Sequence, residues 1–199
     1  MGLFNFLLKK KTDVKSTAIE DINVSSIGNN VSNIDNNAKL LGIEYDLTGV
    51  IQYEYLERGE SVMSISRVFV PNAPLYIHGY GKSLCCSDLG LNHPFASAGD
   101  KRYLKEDDDK IYGYYEYVNE DKLKLVSDNK VYNAESNEHG WKVYHNATQI
   151  ASIQKFEENL TVNVGHDTCK LSFDVSISVN VNEDVYPLIL AIPFLGFRC

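Results

Sequence analysis

A chain of 199 residues is long enough for one sizeable core, and its 19 basic against 27 acidic residues give a net charge of -8. That balance opposes non-specific attraction to nucleic acid and to anionic lipid. The four cysteines, Cys85, Cys86, Cys169 and Cys199, have no CxxC spacing and read as free thiols of a reducing compartment, not as a disulfide framework. No GxSxG, P-loop, GxGxxG or HExxH sequence is present, so the common hydrolase, nucleotide and zinc-protease signatures are missing.

Residues 2 to 8 place Leu3, Phe4, Phe6, Leu7 and Leu8 ahead of Lys9, Lys10 and Lys11. Basic residues that follow the apolar run reverse the order of a secretory signal, so a cytoplasmic protein is expected. The sequons at Asn23, Asn30, Asn146 and Asn159 are then accidents of an Asn-rich composition. Segment 2–11 suits a membrane surface, with Leu3, Phe4, Phe6 and Leu7 inserted and Lys9, Lys10 and Lys11 at the head groups. A frayed or self-packed terminus is the plainer alternative. Lipidation at Gly2 is unsupported, because Phe6 stands where the myristoylation motif requires Ser or Thr. From Lys11 to Lys39, Asn, Ser, Asp and Lys dominate, which predicts a flexible tail over 1–39, with a transient helix near 16–22, and a folded domain over 40–199.

Strands are predicted over 43–57, 61–70 and 75–80, with a hairpin turn at Glu57-Arg-Gly-Glu60. Residues 82–110 carry Gly90, Pro94, Gly99 and the acidic run Glu106 to Asp109, and read as an irregular loop of functional or mobile character. From Ile111 the strand pattern returns in short runs over 111–118, 122–126, 130–134, 141–144, 149–156, 160–164 and 168–181, separated by short polar turns. Such spacing predicts an antiparallel meander of about ten to twelve strands, closed into a barrel or folded as a sandwich.

The last of these runs into the most apolar segment of the chain. Leu171, Phe173, Val175, Ile177, Val179 and Val181 alternate with polar residues, the mark of one dry face and one wet face. Asn182, Glu183 and Asp184 supply capping and first-turn negative charge, and Pro187 suits an early helical position. A helix over about 184–196 is predicted. Its body, Leu188 to Ile192 with Phe194, Leu195 and Phe197, has no polar face and must be enclosed by protein or lipid. At about 12 residues and ~1.5 Å per residue it spans ~18 Å, short of the ~30 Å of a bilayer core. Pro193 ends or kinks it near Ile192. The expected fold is therefore mainly β, a closed antiparallel barrel around a buried apolar C-terminal helix, with a lipid-inserted tail or an ordinary buried strand as the alternatives for that last segment.

The hairpin Trp141-Lys-Val-Tyr-His-Asn-Ala-Thr-Gln-Ile-Ala-Ser-Ile-Gln-Lys155, the closing run Leu171-Ser-Phe-Asp-Val-Ser-Ile-Ser-Val and the segment Pro187-Leu-Ile-Leu-Ala-Ile-Pro-Phe-Leu-Gly-Phe197 together resemble the tubby-like superfamily. Phospholipid scramblases and LURP-one-related proteins belong to it. The likeness covers about 111–199 well and 40–80 loosely. It implies a barrel with membrane-surface or regulatory binding. The chain lacks the cysteine-rich acylation segment and the proline-rich N-terminus of scramblases, and neither their calcium segment nor the phosphoinositide-binding basic residues of tubby proteins can be placed on it.

His78, Cys85, Cys86 and His93 have the donor chemistry for zinc, but adjacent cysteines on an extended chain diverge, so no metal site is expected. A Cys86–His93 nucleophile pair has no motif announcing an activated thiolate. Tyr112, Tyr114, Tyr115 and Tyr117 read as strand residues shared between core and surface, Glu106 to Asp109 as a solvated loop tip, and Trp141 as a wall residue. The functional expectation is a non-enzymatic cytoplasmic module with no cofactor and no nucleic-acid partner, contacting a lipid surface or a protein. The alternative is a thiol- or metal-dependent enzyme using the 82–110 loop.

Overall fold

The computed structural model describes residues 37–68, 74–86, 97–107 and 109–195. Thirteen strands form one antiparallel sheet: β1 (Asn37–Leu47), β2 (Val50–Glu57), β3 (Glu60–Val68), β4 (Leu75–Gly79), β5 (Lys82–Cys86), β6 (Lys101–Glu106), β7 (Ile111–Asn119), β8 (Lys122–Ser127), β9 (Lys130–Asn137), β10 (Gly140–His145), β11 (Thr148–Lys155), β12 (Thr161–Val164) and β13 (Asp167–Ser178). Consecutive strands pair with each other from β1 through β11. β13 pairs with β11 along one edge and with β1 along the other, which closes a twelve-stranded barrel. β12 lies outside that circuit, paired only with the start of β13.

Closure explains several departures from the local pattern. The first strand starts at Asn37 and not at Leu40, because β13 reaches back to it: Asn37 pairs with Ser178, and its Nδ2 donates to Ser176 Oγ at 2.9 Å. The rest of the expected tail, with Leu3 to Lys11, lies outside the described residues. The stretch 43–57 is two strands, broken at Gly49 with φ +77°, a turn hidden by the apolar residues on both sides. The expected loop 82–110 contains β5 and β6. Each is short and gains its ladder from a neighbour in the barrel.

The closing pair carries a bulge. Gly42 pairs with Phe173 and Ile43 with Leu171, so Ser172 is the extra residue. The bulge turns Leu171 and Phe173 to different sides. Phe173 enters the main core, whereas Leu171 joins a small second core with Ile43, Tyr45, Leu56, Val162 and Cys169. The alternation read from Leu171 onward therefore does not define a single dry face. The strand also stops at Ser178, leaving Val179 55 % exposed.

A short helix, α1 (Tyr186–Ala191), fills the barrel between two 3-10 turns, Glu183–Val185 and Ile192–Phe194. Asn182 caps the first of these turns: its Oδ1 accepts from the Asp184 N–H at 3.1 Å. Replacing it, Asn182→Ala, is expected to lower stability by about 1 kcal/mol, measured by urea unfolding. Leu188 to Ile192 and Leu195 are wholly buried, as a segment without a polar face requires; Phe197 lies outside the described residues. Pro193 has no N–H to give Ile189 O, and the Ile192 N–H takes that carbonyl instead. This tightening leaves Leu188 O without its usual i+4 donor.

The wall supplies donors. Tyr115 Oη donates to Leu188 O at 2.7 Å, Tyr55 Oη to Leu190 O at 2.8 Å, and Tyr112 Oη to Asp184 O. Further down, the Phe194 ring centroid lies 4.5 Å from Tyr53 and 5.9 Å from Phe173, and Trp141 meets Phe173 in turn at 6.2 Å.

Candidate functional site

At the mouth where the helix enters, the β2–β3 and β4–β5 turns, the start of β1 and the segment after β13 enclose a cleft of about 360 Å³. Both turns are two-residue hairpins whose residues have positive φ, Arg58-Gly59 and Tyr80-Gly81. Such turns favour Asn, Asp or Gly at the first position, as Asp128-Asn129 on the β8–β9 turn illustrates. Arg58 and Tyr80 instead hold bulky side chains in the left-handed region, at φ 51° and 50°, and both line the cleft. Strain of that kind concentrates where a side chain is held for contact.

The Tyr80 and Tyr186 rings meet edge to face, with centroids 5.1 Å apart. Burial raises the Tyr80 phenol well above its ordinary pKa, and Glu57, Tyr186 and Glu183 push it further. Tyr186 is raised by burial and then by Glu183 and Glu57. Both phenols are thus held neutral. Tyr80 Oη and Asn37 Oδ1 are buried with no hydrogen-bond partner among the described residues. Lys39 and Arg58 complete the lining. Two carboxylates, two cations and neutral phenols thus share the lining of the cleft.

Two further clefts lie toward the opposite mouth. One, of about 570 Å³, runs between the β1–β2 turn and the β12–β13 hairpin. Beside it Tyr45 Oη donates to Glu54 Oε2 at 3.1 Å, and burial followed by the Glu54 charge keeps that phenol neutral. The other, of about 380 Å³, adjoins Trp141 and the end of β11.

Of the residues singled out in the sequence, those described are not brought together. His78 on β4 and Cys85 on β5 have register partners Ser83 and Tyr76. Cys86 points the other way, fully buried in the main core. The divergence expected of adjacent strand residues is realised, so Cys85 and Cys86 cannot share a metal ion. His93 and Cys199 lie outside the described residues, and Cys169 sits in the second core. Among the described residues no group of three or more His, Cys, Asp or Glu side chains could hold a metal ion. The acidic run has lysines as counterions, with Lys82 at 3.3 Å and Lys110 at 3.5 Å from Glu106 and Lys105 at 3.6 Å from Asp109. Of the tyrosines on β7, Tyr115 is fully inside and Tyr114 packs on Tyr103. Trp141 is a wall residue as read. The cleft at the helix entry was missed, although Arg58-Gly59 and Tyr80-Gly81 were its visible signal.

The fold is that of a closed twelve-stranded antiparallel β-barrel with a short C-terminal helix inside. Comparison with protein-family models, curated proteins and solved structures found no match to this chain. No helix among the described residues is long and apolar enough to cross a membrane.

Proposed function

We propose that this chain is a non-catalytic, cytoplasmic binding module of the tubby-like type, contacting a lipid surface or a protein partner. One observation supports the reading above the others: the barrel interior is filled by its own helix, with Leu188 to Ile192 fully buried. Recognition then falls to the mouths and the outer wall. The helix-entry cleft offers unpaired polar atoms and strained turn residues for it, and the segment Leu3 to Lys11 offers apolar and basic side chains to a lipid surface.

The test uses the full chain. In flotation with vesicles of phosphatidylcholine and phosphatidylserine, the intact protein is expected to rise with the lipid and a variant lacking residues 2–11 to stay in solution. Tyr80→Ala and Glu57→Ala are expected to keep lipid binding and to weaken retention of a protein partner captured by crosslinking. Equal flotation of intact and shortened chains removes the lipid arm. Unchanged crosslinking of both cleft variants removes the cleft.

A further inference from the structure

Closure of β13 onto β1 leaves the barrel without an edge, except at β12. That strand pairs with β13 on one side and, among the described residues, with no strand on the other. The Leu171 N–H donates to Leu160 O at 2.8 Å, which sets the alternation. The backbone groups of Leu160, Val162 and Val164 face β13, and those of Thr161 and Asn163 face away. Both outward residues are exposed, and their outward N–H and C=O groups have no strand to pair with among the described residues.

The vacant position has a definite place in the sheet. β11 and β12 lie one after the other along the same edge of β13, Lys155 opposite Phe173 and Thr161 opposite Lys170. β10 fills the position beside β11 but begins only at Gly140, opposite Gln154. Beyond that point the slot in line with β10 and alongside β12 holds no strand among the described residues. The groove of about 380 Å³ opens where β11 gives way to β12, lined by Gly140, Trp141, Lys155, Phe156 and Glu157. Trp141 is 3 % exposed, and its indole N–H has no acceptor among the described residues.

We propose that β12 takes up an extended, net basic segment of a partner protein as an added strand, with one side chain of that segment lying in the groove beside Trp141. Main-chain pairing at a free edge supplies affinity, and the pocket beside it supplies selectivity. The sign of the partner follows from charge. The chain carries -8, and around the edge the carboxylates of Glu157, Glu158 and Asp167 stand beside Lys142 and Lys155 at the groove and Lys170 opposite Thr161, so the net charge of the chain sets the sign. A second copy would bring the same carboxylates against these and the same net charge, which disfavours pairing of β12 with itself. This inference names one site within the binding-module reading and rests on it.

The probe is an acetylated, amidated heptapeptide, Lys-Val-Gln-Val-Lys-Val-Gln, added to the full-length protein. Trp141 is the only tryptophan, so its fluorescence reports the groove directly. Expected are a saturable fluorescence change, amide exchange at Thr161 and Asn163 slowed at least tenfold, and at least tenfold weaker binding of the analogue with Glu in place of Lys. Asn163→Pro removes an outward N–H and leaves the β13 ladder intact, so it is expected to fold and to bind at least tenfold more weakly. If that variant melts early, exchange at Thr161 and Asn163 in the unaltered chain decides. No saturation up to about 1 mM peptide, a Kd weaker than about -4 kcal/mol represents, overturns the proposal. So does unprotected Thr161 and Asn163 exchange, equal binding of the acidic analogue, or self-association abolished by Asn163→Pro. A failed titration alongside intact vesicle flotation or partner crosslinking removes the strand site alone; failure of all three removes the binding module.

Discussion

Leu188→Ala is expected to cost about 2–5 kcal/mol of stability, the range for a fully buried leucine whose surroundings cannot collapse. Leu188 is wholly buried on α1, and the wall it meets is β7, where Gly113 provides the room. A Cβ built on Gly113 would stand 2.6 Å from Leu188 Cδ2 and 2.8 Å from the Val126 carbonyl oxygen. Gly113→Ala alone is therefore expected to destabilise by about 1–3 kcal/mol, as overpacking does. The two changes should not add. Leu188→Ala removes the nearer of the two obstacles, so the added methyl costs less in that background, although the Val126 carbonyl still opposes it. A double-mutant cycle by urea unfolding measures this coupling. Additive losses would mean that the helix does not seat on Gly113.

Tyr55→Phe and Tyr115→Phe are each expected to cost about 1–3 kcal/mol, because each leaves a buried carbonyl of the helix without a donor. These hydroxyls span from wall to plug, at 2.8 Å to Leu190 O and 2.7 Å to Leu188 O. Shape is preserved in both variants, so the loss reports the hydrogen bond and not a cavity. The same pair sets the response to alkali. Burial holds both phenols well above their ordinary pKa. A raised folded pKa means that the unfolded chain loses its protons first, near pH 10. The stability tied to these groups is complete below that pH and declines as pH rises above it. Absorbance titration near 295 nm should show the more exposed of the 13 tyrosines ionising reversibly, and the inner ones ionising only together with loss of the far-ultraviolet strand signal. Ionisation of all tyrosines without unfolding would contradict the anchoring role.

Both predictions concern a helix that was legible before any coordinates. Asn182, Pro187 and Pro193 mark its start, first turn and end, and the segment between has no polar side. Its enclosure followed from that composition, and the meander from Ile111 onward followed from alternation and turn residues. The errors have a common cause. Val50 to Glu57 looked continuous with the preceding strand because the Gly49 turn is flanked by β-formers. β5 and β6 looked irregular because each is short and depends on a neighbour for its ladder. The helix-entry cleft escaped notice because its parts, Asn37, Glu57, Tyr80 and Glu183, are far apart in the chain and meet only at the rim.

Local pattern by itself therefore settled the two periodicities of this chain, strands of period two and one helix without a wet face, since both depend on residues a few positions apart. Tertiary structure alone decided that Asn37 pairs with Ser178, that the Ser172 bulge divides one apolar run between two cores, and that β12 remains outside the ring. The first two outcomes depend on register between β1 and β13, far apart in the chain, as the 139-residue separation of Asn37 and Ser176 illustrates. No short window of sequence carries that register, because it is selected by the packing of the whole wall around the helix.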